Sequence, residues 1–183
     1  RATQGLADYI KSLGAQSRGV AISYDTRRNS TVFALAAASV LSYNDIKVFL
    51  YNEPRPVPML SYAVRKLNCI AGIMITASHN PKEYNGYKVY GEDGAQMSPE
   101  ATDKVVEYIS KIDDYFSVKE AKNSLIKKVP ASVDKAYYKQ LGKLCLSPKA
   151  VKKVGKNLKL VYTPVHGSGY VPVTTILKKL KIN

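Results

Sequence analysis

The feature that most constrains this fold is a repeated change of hydrophobic period in the first part of the chain. Short apolar runs at 19–24, 46–51 and 71–76 have the length of buried strands, and they alternate with helically spaced segments at 30–43 and 59–67. Strands that alternate with helices pair in parallel, because each crossover returns the chain to the same end of the sheet. The sequence therefore predicts an α/β fold: a three-layer α/β/α domain with a mostly parallel, mixed sheet.

Smaller elements complete this first domain. An amphipathic helix is predicted over 1–14, a polar loop over 77–86 and a short strand over 87–90. A further helix is predicted to begin after Ser98, which is followed by Pro99 and an acidic residue, a common arrangement at helix starts. Its predicted buried stripe consists of Val105, Val106, Ile109 and Ile112.

In the last third of the sequence, the alternation of strand and helix patterns weakens and then restarts. We predict a connecting segment over 113–130, a helix over 134–146 and a basic linker over 149–156. A strand at 158–162 and a helix at 170–180 follow. This strand and helix are interpreted as the opening of a second, similar α/β domain.

The domain boundary is accordingly predicted after residue 147. Residues 1–147 form the first domain in this interpretation, and residues 148–183 are an incomplete second domain.

The positive charge is concentrated in the last third. Residues 117–183 carry 15 lysines against 2 acidic residues, whereas residues 1–116 carry 13 basic and 12 acidic ones. Such a patch binds nucleic acid or a membrane surface in some proteins. We favour solvated lysine faces whose acidic counterparts lie elsewhere, because no arginine–aromatic pattern accompanies the lysines. No nucleic-acid partner is therefore expected.

Cysteine usage and hydropathy indicate where the protein works. Cys69 and Cys145 are far apart in sequence and form no metal-binding or redox pair, which favours a reducing compartment. No apolar run approaches the roughly 20 residues of a membrane span, and no signal-peptide pattern precedes the first helix. We expect a cytoplasmic protein with no membrane partner.

The segment 76–81 (Thr-Ala-Ser-His-Asn-Pro) carries the strongest functional signal. It follows a predicted parallel strand, and ligands of α/β sheets bind at the carboxyl ends of such strands. Ser78 beside His79 is weak evidence alone, because adjacent side chains on an extended chain point apart and most such pairs lie in ordinary turns.

The complete string is more specific. Residues 76–81, followed by Asn-Gly-Tyr-Lys at 85–88, resemble the active-site signature of the α-D-phosphohexomutases. Residues 24–30 resemble that family's first-strand loop, 56–65 the segment before its serine strand, and 163–167 the first loop of its second domain. Residues 83–94 look most like the family's bacterial phosphoglucomutase branch.

The resemblance implies an enzyme, an intramolecular phosphotransferase that interconverts glucose 1-phosphate and glucose 6-phosphate. Ser78 would carry a phosphoryl group, donate it to the hexose phosphate substrate and recover the other phosphate of the resulting glucose 1,6-bisphosphate. The implied cofactor is Mg²⁺, bound to Ser78 through its phosphate and to carboxylates.

Further roles are implied for neighbouring residues. Lys88 would be the general base and acid for the sugar hydroxyl and would also bind phosphate, although on the residues alone it could be an ordinary lysine at a strand end. Arg27 would hold phosphate oxygens. Arg28 is an equally good phosphate ligand on spacing alone, and Arg27 has Asp25 as an alternative partner. His79 would contribute a catalytic hydrogen bond. Asn80 would bind phosphate and help to fix the loop.

Several strings of the family are absent from this sequence. They are the Asp-Gly-Asp-x-Asp-Arg magnesium loop, the Gly-Glu-x-Ser-Gly sugar loop, the Arg-x-Ser-Gly-Thr phosphate clamp and an upstream Gly-Thr-x-Gly-Leu-Arg segment. We therefore expect the chain to be part of a longer enzyme. Its partners would be the rest of its own chain, namely the remainder of domain 2 and domains 3 and 4, and the isolated piece would be inactive.

Alternatives remain at this point. Mannose or pentose phosphates are alternative substrates within the same class. A basic, non-catalytic anion-binding or nucleic-acid-binding module is an alternative of another class. His166 has two interpretations of equal weight, a catalytic residue or a packed loop residue.

Overall fold

The computed structural model describes residues 1–122 and 124–182. Its α-helices are α1 (Ala2–Ser12), α2 (Ser30–Tyr43), α3 (Val57–Lys66), α4 (Pro99–Ser110), α5 (Ala131–Lys143), α6 (Pro148–Val154) and α7 (Tyr170–Lys179). Its β-strands are β1 (Val20–Tyr24), β2 (Val48–Leu50), β3 (Ala71–Ile75), β4 (Tyr87–Tyr90) and β5 (Ile126–Lys128). A short 3-10 helix spans Tyr115–Ser117.

The chain divides into two compact units. The first comprises Arg1–Val129 and the second Pro130–Asn183. The domain boundary predicted after residue 147 refers to domains of the whole protein, and it stays a prediction.

The first unit contains one mixed sheet in the strand order β4-β3-β1-β2-β5. Strand β1 lies at the centre and pairs in parallel with β2 and β3, and β5 pairs in parallel with β2. Strand β4 is antiparallel to β3. All residues of β1 and β3 are buried, as expected for strands covered on both faces. The predicted mostly parallel, mixed α/β sheet is confirmed.

Helices cover the two faces of this sheet because side chains alternate along each strand. Ile22 and Ile73 point into a cluster that includes Leu6 of α1, Leu41 of α2 and Val105 of α4. On the opposite face, helix α3 packs against β1 and β3. It approaches Gly72 so closely that a Cβ atom there would meet Val64 and Leu60. The three-layer arrangement follows from this alternation.

Most elements predicted for the first unit are confirmed. Helix α2 has the bounds that the pattern predicts, and α1, α3, β1, β3 and β4 agree within a few residues. Ser98 also caps α4 as expected, since its side chain accepts a hydrogen bond from the amide of Ala101.

The prediction that residues 113–130 only connect two elements was wrong. Strand β5 lies within this segment and extends the sheet beyond β2. Its sequence, Ile-Lys-Lys, has only one apolar residue, and its side chains are half-buried or exposed. The strand is defined by its hydrogen bonds to β2 and not by a pattern of its own, so the periodicity could not reveal it.

Two further predictions for the last third were wrong. Residues 149–156 are not a linker, because helix α6 spans most of them. Pro148 at its first turn and lysines of good helix propensity favour a helix. Residues 158–162 form no strand in the described part of the chain, since a strand requires a hydrogen-bonding neighbour. The predicted helix at 170–180 is confirmed as α7.

The predicted stripe of α4 was too wide. Val105 is buried, but Val106 is 52% exposed. Helix α4 packs chiefly against α1, where Gly5 and Ile109 approach closely. This contact covers a narrow line of α4 and leaves Val106 in solvent.

None of the helices within residues 1–122 and 124–182 has both the length and the apolar character needed to span a membrane.

Candidate active site

Two loops lie side by side at the carboxyl ends of neighbouring strands. The first, residues 25–29, follows β1, and the second, residues 76–86, connects β3 to β4. Parallel pairing of β1 with β3 brings the start of both loops together, and the Asp25 amide donates to the carbonyl of Ile75 at 3.1 Å. The loop that carries Ser78 therefore lies at the carboxyl edge of the sheet, where ligands of α/β sheets bind.

Asp25 is the centre of a polar network between these loops. One carboxylate oxygen accepts hydrogen bonds from the Thr76 hydroxyl at 2.7 Å and from Arg27 Nε at 3.1 Å. The other accepts from the Ser30 hydroxyl at 2.8 Å and from the Arg27 amide at 3.0 Å. With four donors, the carboxylate is well satisfied at a half-buried position and fixes both loops relative to each other.

Arg27 reaches across from the first loop to the second. Its two terminal nitrogens donate to four main-chain carbonyls: Ser78 at 2.9 Å and Asn80 at 2.7 Å from one, and Pro81 at 2.7 Å and Tyr84 at 3.1 Å from the other. Arg27 also forms the ion pair with Asp25 that the sequence offered as an alternative to phosphate binding. The role of phosphate ligand stays a prediction.

Ser78 has an unusual backbone conformation. Its φ is +56°, in the left-handed region that non-glycine residues rarely occupy. Its amide donates to the Thr76 hydroxyl at 3.1 Å, and its carbonyl accepts from Arg27. The residue is exposed, so its side chain is open to a substrate. Strained backbone of this kind is concentrated at functional sites.

Lys88 lies next to the serine side chain. It belongs to β4, opposite Met74 of β3, and its Nζ donates to Ser78 Oγ at 2.5 Å. A cation at this distance stabilises negative charge on the serine oxygen or on a phosphoryl group attached to it. The structure therefore brings together two of the residues that the sequence predicts for the site.

Asn85 and Gly86 close the second loop. The Asn85 side-chain nitrogen donates to the Ser30 hydroxyl at 2.9 Å and to the carbonyl of Arg28 at 3.2 Å. A Cβ atom at residue 86 would lie 2.6 Å from the carbonyl oxygen of Thr76, so only glycine fits there. Sequence reasoning gave no role to Ser30, Thr76 or Asn85, although all three lie within the recognised strings 24–30, 76–81 and 85–88.

The remaining predicted site residues are arranged less closely. His79 and Asn80 are exposed in the serine loop, and Asn80 takes part through its backbone. Arg28 lines an open cavity of about 890 Å³. Neither Ser78 nor Lys88 is among the described residues that line this cavity. His166 belongs to the second unit.

A buried phenol adjoins the site on β4. Burial raises the pKa of Tyr87 above its ordinary value of 10.0. The phenol is neutral at physiological pH with or without this shift.

The residues present do not form a metal site by themselves. Within residues 1–122 and 124–182, no group of three or more His, Cys, Asp or Glu side chains is arranged to hold a metal ion. The ligand that this site would offer to the expected Mg²⁺ is an oxygen of a phosphate carried by Ser78.

Comparison with known proteins identifies the family. Residues 1–116 match the family described as phosphoglucomutase/phosphomannomutase, alpha/beta/alpha domain I. The chain belongs to this family. The resemblance inferred from residues 76–81 and 85–88 is thereby confirmed.

Individual relatives agree with this result. The chain is 43% identical to a phosphoglucomutase of Staphylococcus epidermidis over 98% of its own length and 33% of the relative's. It is 41% identical to a phosphoglucomutase of Staphylococcus aureus over 98% and 32% of the two lengths. The chain therefore spans about a third of the curated relatives it matches.

Solved structures of the family share the fold. A Thermus thermophilus protein described as a phosphomannomutase superimposes with a TM-score of 0.71 at 28% identity, over 85% of this chain and 32% of that one. Parafusin from Paramecium, a phosphoglucomutase in its open form, gives a TM-score of 0.72 at 21% identity, over 100% and 38% of the two chains. The second likeness supports the fold alone.

Proposed function

We propose that the whole protein carrying this chain is a phosphohexomutase that interconverts glucose 1-phosphate and glucose 6-phosphate, with Ser78 as the phosphoryl carrier. The observation that carries the proposal is the pairing of an exposed, left-handed Ser78 with Lys88 Nζ, 2.5 Å from its hydroxyl oxygen. Membership of the family and relatives named phosphoglucomutase support the choice of reaction and sugar.

The proposed chemistry is an exchange of one phosphoryl group between two oxygens. The phosphorus–oxygen bond to Ser78 breaks as a bond forms to a free hydroxyl of the hexose phosphate, giving glucose 1,6-bisphosphate and unmodified serine. The second half reverses this transfer at the sugar's other phosphate and restores phosphoserine. No oxidant, reductant or other co-reactant is required.

We assign two roles to Lys88: it donates a proton to the serine oxygen, and its positive charge stabilises negative charge there. When the phosphoryl group leaves, that oxygen needs a proton, and the Lys88 ammonium already donates a hydrogen bond to it. The attacking sugar hydroxyl gives its proton to the Lys88 amine thus formed, so each transfer moves one proton from the sugar oxygen to the serine oxygen and leaves Lys88 as the ammonium. When the group returns, the same exchange runs in reverse, from the serine hydroxyl to the sugar oxygen.

Binding of the substrate's phosphate is assigned to the exposed side chains around the serine loop. His79 and Asn80 offer hydrogen-bond donors next to Ser78 in the serine loop, and Arg28 in the neighbouring loop offers a positive charge. Further residues of the whole protein complete the cleft in this proposal. The 183-residue chain by itself is accordingly proposed to have no mutase activity.

The test is a mutase assay on the whole protein with Mg²⁺ and a trace of glucose 1,6-bisphosphate. We expect turnover of glucose 1-phosphate, loss of at least about a thousandfold in Ser78→Ala, and phosphoserine at residue 78 by mass spectrometry. Ser110→Ala, at the end of α4, is the matched control and keeps full activity. Turnover that survives Ser78→Ala would refute the role of the serine.

Substrate choice is tested in the same assay. Mannose 1-phosphate and ribose 1-phosphate replace glucose 1-phosphate, and kcat/KM is compared between the sugars. Faster turnover of either one would assign the protein to another member of the same reaction class.

The basic second unit supports one alternative of a different kind. Residues 130–183 contain 11 lysines and one acidic residue, Asp134. An anion-binding module would be retained on heparin in a strongly salt-dependent way, and Lys88→Ala would not weaken that retention. This result, together with no turnover of any sugar phosphate, would replace the mutase proposal.

We also propose a cytoplasmic location. Cys69 and Cys145 are unpaired, which suits a reducing compartment. Fractionation of cells that express the whole protein tests this assignment.

A further inference from the structure

The guanidinium of Arg27 is fully occupied by the protein itself. An arginine side chain has five N–H donors in a fixed planar fork. Nε donates to Asp25, and the two terminal nitrogens donate two hydrogen bonds each, to the carbonyls of Ser78, Asn80, Pro81 and Tyr84. These five bonds use all five donors, so none remains for a phosphate oxygen.

The carbonyls held by Arg27 all belong to the serine loop. Main-chain carbonyls repel one another when they converge, and a loop that turns four of them toward one point needs a cation there. Arg27 supplies that cation with an orientation that Asp25 fixes from the opposite side, through both the Arg27 amide and Nε.

Both backbone groups of Ser78 depend on the same anchor. The carbonyl accepts from Arg27, and the amide donates to the Thr76 hydroxyl, which in turn donates to Asp25. The left-handed conformation of a non-glycine residue is unfavourable, because Cβ comes too close to the following carbonyl oxygen. Bonds at both ends of the residue hold it in that conformation, which aims Oγ at Lys88.

We propose that Arg27 is a positioning residue that holds the serine loop through its carbonyls, and that it does not bind the phosphate of the sugar. The kinetic consequences of this inference rest on the proposed function. Its structural consequence, a less ordered serine loop without Arg27, is independent of that function. Lysine cannot replace arginine in this role, because an ammonium group has three donors and no planar fork.

The kinetic test uses Arg27→Lys in the whole protein. We expect kcat to fall by about a hundredfold and KM for glucose 1-phosphate to stay within about twofold, because positioning acts on the reacting atoms and not on uniform binding. Arg65→Lys is the matched control, since Arg65 donates from Nε to a carbonyl of its own helix, that of Ser61. Unchanged kcat with a KM raised about tenfold or more would overturn the proposal in favour of a phosphate ligand.

The structural test is amide hydrogen exchange of the same two variants without any phosphate compound. In Arg27→Lys, the amides of Ser78, Asn80 and Tyr84, which bond within the serine loop, should exchange at least about tenfold faster. Amides of β1 should keep their protection, as should all of these amides in Arg65→Lys. A phosphate ligand would leave loop exchange unchanged in the absence of phosphate, and that result would overturn the proposal.

Two further outcomes are distinguishable. If kcat falls only in proportion to the folded fraction, with faster exchange in β1 as well, Arg27 is merely structural and the proposal fails. If the wild-type protein turns over no sugar phosphate, the mutase proposal fails, and faster exchange confined to the serine loop would still support Arg27 as its anchor.

Discussion

The two units of the chain differ in what their apolar residues pack against. In residues 1–129, strands β1 and β3 are buried throughout, and helices cover both faces of the sheet. In the described part of residues 130–182, the buried residues are Val133, Tyr138, Gly155 and Pro172. Leu146 is 99% exposed in that unit and Val161 is 95% exposed. A sheet gives helices a continuous surface to cover, whereas α5, α6 and α7 have no such surface among the described residues.

The two units also differ in charge and in chemical content. The second unit contains 11 lysines and one acidic residue, whereas the first contains 17 basic and 13 acidic residues. The first unit holds the polar network around Asp25 and the Ser78–Lys88 pair. A functional site requires a rigid support, and in this chain the sheet of the first unit provides it.

The largest expected difference between the two units is in the free energy of unfolding that is lost when an apolar side chain is truncated. Ile73→Ala in β3 removes a fully buried side chain and should lower the free energy of unfolding by about 2–5 kcal/mol. Leu146→Ala, at an almost fully exposed position, should change it by less than about 0.5 kcal/mol. Urea unfolding followed by circular dichroism measures both. Equal losses would mean that the second unit has a core of its own.

The two thiols provide the next largest contrast. Burial raises the pKa of Cys69 to about 12 from 9.0, against the opposing charges of Lys47 and Arg18. Because the folded pKa is raised, the stabilisation by this thiol is complete below pH 9 and is lost as pH rises from 9 toward 12. The loss amounts to about 1.4 kcal/mol per pH unit. Unfolding at pH 8 and pH 10, in wild type and Cys69→Ala, isolates the effect.

The same contrast appears in thiol reactivity. Cys145 is half-buried and should react with Ellman's reagent in the folded protein, whereas Cys69 should react only after unfolding. Cys145→Ala should remove the reaction of the folded state. Labelling of Cys69 at a comparable rate would show that the first unit opens locally around α3 and β3.

Helix caps test the comparison on a smaller scale. Ser98→Ala removes the hydrogen bond from the Ala101 amide at the start of α4 and should cost about 1 kcal/mol. Ser147 also precedes a helix, α6, but its side chain makes no capping bond, so Ser147→Ala should change stability by less than about 0.5 kcal/mol. Thermal unfolding of the two variants compares them directly. A larger loss in Ser147→Ala would contradict the comparison.

Glycines within helices give the smallest effect, with opposite signs in the two units. Gly142 in α5 has open space where a Cβ atom would stand, so Gly142→Ala should raise stability by about 0.5–1 kcal/mol. Gly5 in α1 lies against Ile109, and Gly5→Ala should lower stability. Urea unfolding of both variants measures the signs. A destabilised Gly142→Ala would indicate that α5 is packed more tightly than its exposed face suggests.

The sequence predicted the first unit well where local pattern and burial agree. The runs that became β1 and β3 are apolar throughout, and α2 has helical spacing between two polar turns. Strand β5 was not predicted, because this edge strand is defined by its hydrogen bonds to its neighbour, β2. The predicted strand at 158–162 failed for the converse reason, since its apolar pattern has no partner among the described residues.

The candidate site divides in the same way. Ser78, Lys88 and Arg27 were predicted because their strings are distinctive, and the structure brings their side chains to one loop. The contacts of Arg27 could not be predicted, because its acceptors are main-chain carbonyls, which every residue type carries. The role of Asn85 was hidden similarly, since its partners are a serine hydroxyl and a carbonyl.

The antiparallel pairing of β4 with β3 makes the serine–lysine contact a matter of strand register. Lys88 faces Met74 across this pair, and it is ten residues from Ser78 in sequence. A slip of the pairing by one residue would turn Lys88 to the opposite face of the sheet and present a neighbour, Tyr87 or Val89, in its place. The register of β4 against β3 thus sets whether the serine has a cation beside it.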